Sequence, residues 1–162
     1  MIILQELRVS LTSSTKIKHF NDFNVGDKFL SSTYFVSKQE IVDFALKYDP
    51  LSFHTGELDA KFVDHLYDVL TASGSHITAI CMRLFDDTIL SHSSVISSPG
   101  HEYIKWPNPI KESDTVRAEF EVIEKRISSK DNTNGIVTFR KVMKNQENKI
   151  VFDSKTPIMF KV

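Results

Sequence analysis

Asp49 and His54 are the residues of this chain whose types and placement could do chemistry together. A carboxylate is followed, across Pro50-Leu51-Ser52-Phe53, by an imidazole. Such a pair can take a proton from a water molecule and hand it on if both groups face that water. Asp49 falls at the end of a predicted helix, because the residue before a proline is pushed out of the α region, and His54 falls on the loop that follows. Taken alone, they are a helix-ending Asp and a loop histidine with no chemistry required. His54, Glu57, Asp59 and His65 could be imagined around a metal, yet their spacing matches no zinc signature, so no metal site is expected. His65, His92 and His101 read as surface residues.

The elements that would position the pair are legible from periodicity. A β-branched and aromatic stretch near Phe29 to Val36 predicts a strand, and Ser37-Lys38-Gln39-Glu40 has the form of a capping box that opens a helix. Ile41, Phe44, Ala45 and Tyr48 then fall on one helical face. A second helical region spans Phe62 to Leu90, with Ile77, Ile80, Leu84 and Phe85 on one face. Gly74 costs about 1 kcal/mol relative to alanine inside a helix, so a start near Ser73 or Ser75 is expected. Ser73 reads as a cap and His76 as a buried or interfacial histidine. The period then changes to two: Val116, Ala118, Phe120 and Val122 alternate with charged residues, and turns at 128–135 and 144–148 separate three antiparallel strands. With a further strand near Glu102 to Trp106, the order predicts an α+β domain, one long helix against a curled sheet.

The chain has 162 residues, enough for one domain with a proper core. Residues 1–20, rich in Ser and Thr, read as a peripheral arm, and 21–162 as the single domain. A net charge of −1 with scattered Lys and Arg offers no footprint for nucleic acid or anionic lipid. No membrane span or signal-peptide core is seen at the N-terminus, and the single cysteine, Cys81, fits a reducing compartment, so the cytoplasm is expected.

Several segments together resemble the MaoC-like dehydratases of the hotdog superfamily, in which a sheet wraps one long central helix. Asp22-Phe23-Asn24-Val25-Gly26-Asp27 is similar to the family's opening, and Asp49-Pro50-Leu51-Ser52-Phe53-His54 to its hydratase loop. Ala72-Ser73-Gly74-Ser75-His76 resembles the start of the central helix. Lys105-Trp106 and Pro109 to Thr115 resemble a later strand and turn. The likeness spans roughly residues 22–161. There are departures: Thr55-Gly56 replaces the family's x-Asp, Phe62 to Val69 replaces a Gly-rich loop, and Ser73 stands where a second His is common.

The resemblance implies hydration of 2-enoyl thioesters, or dehydration of 3-hydroxyacyl thioesters, of CoA or acyl carrier protein, with no metal or organic cofactor. It implies at least a homodimer. In this reading Asp49 is the base, His54 orients the water and exchanges the proton, the backbone N–H of Gly74 receives charge on the thioester oxygen, and Ser73 is a possible contributor. A hotdog thioesterase and a non-catalytic acyl-binding or subunit protein are the alternatives, the latter favoured by the altered loop before the helix.

Overall fold

In the computed structural model, which describes residues 16–56 and 69–162, the elements run β1 (Lys28–Phe35), α1 (Lys38–Tyr48), α2 (Ser52–Thr55), α3 (Gly74–Thr88), β2 (Val95–Ser97), β3 (Tyr103–Lys105), β4 (Thr115–Ile127), β5 (Asn134–Asn145) and β6 (Ile150–Lys161). One antiparallel sheet is ordered β1-β4-β5-β6-β2, with β3 also paired to β6. It curls around α3, which touches β1, β4 and β6. This is the hotdog architecture that the resemblance implied.

Alternation on the long strands builds the concave face. Val116, Ala118, Phe120 and Val122 of β4, and Val137, Phe139 and Met143 of β5, all point inward and are fully buried. The helix answers with Ile77, Ile80, Cys81, Leu84 and Phe85, spaced so that they share one face. Phe85 meets Phe120 and Phe139 edge-on at 4.9 and 5.1 Å between ring centroids. Bulges bend the strands: one in β1 between Leu30 and Thr33, another in β4 between Val122 and Glu124. At the first, the buried Ser31 hydroxyl takes the Ala118 N–H at 2.9 Å, so a side chain stands in for a ladder bond. Phe20 is buried with its ring against Gly135, where a Cβ would lie 2.1 Å from the nearest ring carbon, so the core reaches into the end of the segment read as a peripheral arm. The rest of that arm, up to Thr15, lies outside the described residues.

Differences from the sequence reading are local. His54 lies not on an irregular loop but on the single turn α2, closed by Gly56 in the left-handed conformation at φ 79°. Tyr48, placed on the buried face of α1, is exposed, because the helix ends there; Ile41 and Ala45 are buried and Val42 packs against the core from the same helix. α3 begins at Gly74, capped by Ser73, and the part of the expected helical region at 62–68 lies outside the described residues. The short strand β2 had no periodic signal to announce it. Among the described residues no helix is long and apolar enough to cross a membrane.

One inward position of β5 breaks the apolar pattern of that strand. Lys141 stands between Phe139 and Met143 with no exposed surface, and burial pushes its ammonium from 10.5 down to about 8. Between these two values the folded chain holds fewer protons here than the unfolded chain, so stability rises with pH across that window. Replacing Lys141 by Met keeps the side-chain length and removes the charge. Lys141→Met should therefore raise the unfolding free energy at neutral pH by on the order of 3 kcal/mol. Urea denaturation at a series of pH values should show the gap to wild type closing as pH approaches 10.5.

Candidate active site

Asp49 is set by the end of α1. Its N–H donates to the Ala45 carbonyl at 2.9 Å while its own backbone leaves the helix, as Pro50 requires, and its carboxylate stays one-third exposed. His54 is placed by the turn between Pro50 and Gly56, with its N–H on the Leu51 carbonyl, and its side chain is nearly buried. The imidazole Nδ1 lies 2.6 Å from the Thr71 carbonyl oxygen, which can only accept, so Nδ1 carries the proton and donates. That leaves Nε2 facing Asp49, 3.9 Å from Oδ2. The gap is too long for a hydrogen bond and suits one water touching both groups, from which the Asp49 carboxylate and an unprotonated Nε2 can each accept.

The same hydrogen bond ties the pair to the start of α3. Thr71 also donates its N–H to the Phe53 carbonyl at 3.2 Å, and Ala72 donates to Ile110 at 2.9 Å, so the strand-like approach to the helix is held on both sides. Three residues after Thr71 comes Gly74, the first residue of α3. Ser73 spends its hydroxyl as an acceptor for the His76 N–H at 3.2 Å, the cap expected of it. The N–H groups of Gly74 and Ser75 have no acceptor among the described residues, as the first turn of a helix leaves them. The absence of a Cβ at Gly74 is used by Trp106, whose ring would sit 3.0 Å from such an atom. Thus Asp49 and His54 are brought together and His54 is anchored beside the helix start. Neither Gly74 nor Ser73 makes a hydrogen bond to the pair among the described residues. Glu57, Asp59 and His65 lie outside the described residues, and no group of three metal-ligating side chains occurs within them.

Sequence reasoning missed Thr71, whose only signal was a β-branched residue before the small-residue patch, and it misassigned Glu40. The Ser37 hydroxyl does accept the Glu40 N–H at 3.2 Å, but the Glu40 carboxylate does not close the capping box. It instead accepts from Tyr34 Oη at 2.6 Å and from His76 Nε2 at 3.0 Å. His76 is buried and stacks on Phe44 at 4.6 Å. This tie joins β1, the N-terminal turn of α1 and the N-terminal turn of α3, and so fixes the helix carrying Asp49 against the helix beginning at Gly74. Burial, and then the Glu40 carboxylate, push the Tyr34 phenol up to about 12. Glu40→Gln removes the charge and should lower the Tyr34 midpoint in a tyrosinate absorbance titration while leaving it above the ordinary value. It should also cost about 1–3 kcal/mol in urea denaturation, because two charge-assisted bonds weaken together.

No family model matches the chain. It is 26% identical over 141 residues to the uncharacterized protein YdeM of Bacillus subtilis, an alignment covering 87% of this chain and 97% of that one. A protein from Archaeoglobus fulgius described as a monoamine oxidase regulatory protein shares its structure at TM-score 0.79 and 26% identity, over 90% of this chain and 95% of that chain. A MaoC-like dehydratase from Rhodospirillum rubrum matches at TM-score 0.79 and 31% identity, over 89% of this chain and 97% of that chain. With 31% identity and nearly the whole of both chains shared, this chain belongs to the MaoC-like dehydratases.

Proposed function

We propose that the protein is a hydro-lyase acting on 2-enoyl or 3-hydroxyacyl thioesters, with Asp49 and His54 at the reacting water. The observation that carries this reading is the fixed imidazole: Nδ1 is committed to the Thr71 carbonyl, so Nε2 and the Asp49 carboxylate, 3.9 Å apart, offer two acceptors to one water. In hydration, Asp49 takes a proton from that water as its oxygen bonds to C3, and the π electrons move through C2 onto the thioester oxygen. Collapse of the enolate takes a proton at C2, delivered from the Asp49–His54 pair, so the two hydrogens of water end on the new hydroxyl and on C2. Dehydration is the same path reversed.

The unpaired N–H groups at the start of α3 are suited to the charge that builds on the thioester oxygen, with the helix dipole pointing the same way. A donor of this kind is worth about 3–4 kcal/mol in the transition state. Trp106 lies against Gly74 and is half exposed, which makes its ring a wall for the thioester. The Rhodospirillum relative is described as a dehydratase, in line with this chemistry. The thioester carrier is CoA or acyl carrier protein, the compartment is the cytoplasm, and the working unit is a homodimer. Exposed Val95 and Ile96 on β2, and Trp106 just past β3, give the sheet edge an apolar surface for a second copy to cover.

Purified protein given crotonyl-CoA and longer 2-enoyl-CoAs should remove the conjugated-enoyl absorbance without releasing thiol. Asp49→Asn and His54→Ala should each lower kcat by about 10²–10⁴ with the fold retained by circular dichroism. Thiol release would move the reading to a thioesterase, and silence with every acyl chain to a binding protein. Sedimentation velocity should give a dimer.

A further inference from the structure

The concave face holds a second polar cluster that the reacting pair does not use. The Lys141 ammonium lies 3.4 Å from Met82 Sδ and 4.1 Å from the centre of the Phe85 ring. No carboxylate pairs with it among the described residues. Directly opposite it across the β5–β6 ladder is Ser154, also fully buried, whose Oγ has no hydrogen-bond partner. The next inward residue of β6, Thr156, shares a 2.7 Å hydrogen bond with Nδ1 of His101, which stands exposed just before β3. Burial and the Lys141 charge hold His101 below the usual imidazole range, and burial pushes the neighbouring Cys81 thiol up to about 12, so both are neutral at pH 7. A buried cation and a buried hydroxyl face each other across two strands, among phenylalanines, with no anion to serve either.

Neighbouring residues link the cluster to the site already described. Trp106, against Gly74, continues from β3, where Ile104 is opposite Ser154 and Ser154 is opposite Lys141. On α3, Met82 lies eight residues beyond Gly74, on the order of 12 Å along the axis. Thr78 and Met82, one turn apart and half buried, border this seam with half-buried Ile104. Met82, which now contacts the ammonium, is a flexible thioether able to swing aside for a ligand.

We propose that Lys141 and Ser154 form a subsite for a carboxylate at the far end of the acyl chain, so that the substrate class is the monothioester of a dicarboxylic acid. This rests on the hydro-lyase reading. The thioester carbonyl sits at the start of α3, the chain follows the seam between α3 and β6, and its terminal carboxylate takes the ammonium and the Ser154 hydroxyl. The ligand supplies the anion that the fold withholds. The ammonium, still charged at pH 7 although shifted to about 8, is then pushed back up by its partner.

Saturated CoA thioesters cannot be hydrated, so they separate binding from turnover. Calorimetry should be run on wild type and Lys141→Met with pairs of matched length, one ending in a carboxylate and one in a methyl group. Wild type should bind the carboxylate-ended member at least tenfold more tightly at its best length, and Lys141→Met should invert that order. In wild type carrying ¹³C-labelled lysine, the Lys141 ¹³Cε titration should move to higher pH with the carboxylate-ended ligand alone. Equal or better binding of the methyl-ended member by wild type, no binding of either, or an unchanged preference in the variant would overturn the subsite. Hydration of crotonyl-CoA without a carboxylate preference removes this inference and leaves the hydro-lyase reading. A carboxylate preference without hydration of any enoyl thioester does the reverse.

Discussion

The hydrogen bond from His54 Nδ1 to the Thr71 carbonyl, 2.6 Å long, joins the turn after α1 to the approach to α3 across seventeen positions of chain. It settles the imidazole tautomer, because a carbonyl cannot donate, and the tautomer decides that Nε2 is an acceptor aimed at Asp49. Other contacts reinforce this geometry. Thr71 donates back to Phe53, next to His54, and Ala72 is held by Ile110, so the segment that carries the accepting carbonyl cannot drift. A rigid second partner of this kind is what makes a histidine useful at a reacting water, since its ring orientation is not left to the solvent.

That bond also explains why the site needs the whole fold. Asp49 belongs to α1, His54 to a single turn too short to be stable alone, and Gly74 to α3. α3 is positioned by the concave face of the sheet through Phe85 and its neighbours, and α1 is positioned on α3 through Glu40 and His76. Removing the sheet would leave three fragments with no common frame. The burial of Phe120, Phe139 and Phe85 is therefore part of the site's geometry although none of these rings touches it.

Periodicity carried most of the architecture because the burial is one-sided: β4 shows its core face at every second residue, and α3 at Ile77, Ile80, Leu84 and Phe85. The Asp49-Pro50 helix end was legible from sterics alone. α2 was not, because one helical turn has too few residues for a period, and β2 was not, because its three residues are all exposed. Glu40 was misread for a subtler reason. A Glu at the third helical position suits both the backbone N–H of a capping box and a distant side chain, and only tertiary structure reveals that Tyr34 and His76 claim it. Lys141 hid within a strand pattern in which a single Lys reads as an outward residue, yet Arg140 and Lys144 face out while it faces in. Thr71 left almost no trace, since its role rests on a backbone carbonyl, which every residue type possesses.

Three buried side-chain atoms have no hydrogen-bond partner among the described residues: Thr71 Oγ1, His76 Nδ1 and Ser154 Oγ. An orphaned buried polar group costs free energy, so its position is informative. These three are not scattered through the core. Thr71 supplies the carbonyl that orients His54, His76 holds the first turn of α3 to Glu40, and Ser154 faces Lys141 across the sheet. Elsewhere the same fold satisfies its buried polar groups: the Ser31 hydroxyl fills a bulge and Asp114 caps the Lys111 N–H and holds Gln146. The chain can satisfy buried polar groups, and the three orphans stand out against that background. Two of the three flank the features that the proposed reaction and subsite use: Thr71 supplies the carbonyl beside His54, and Ser154 stands opposite the Lys141 ammonium.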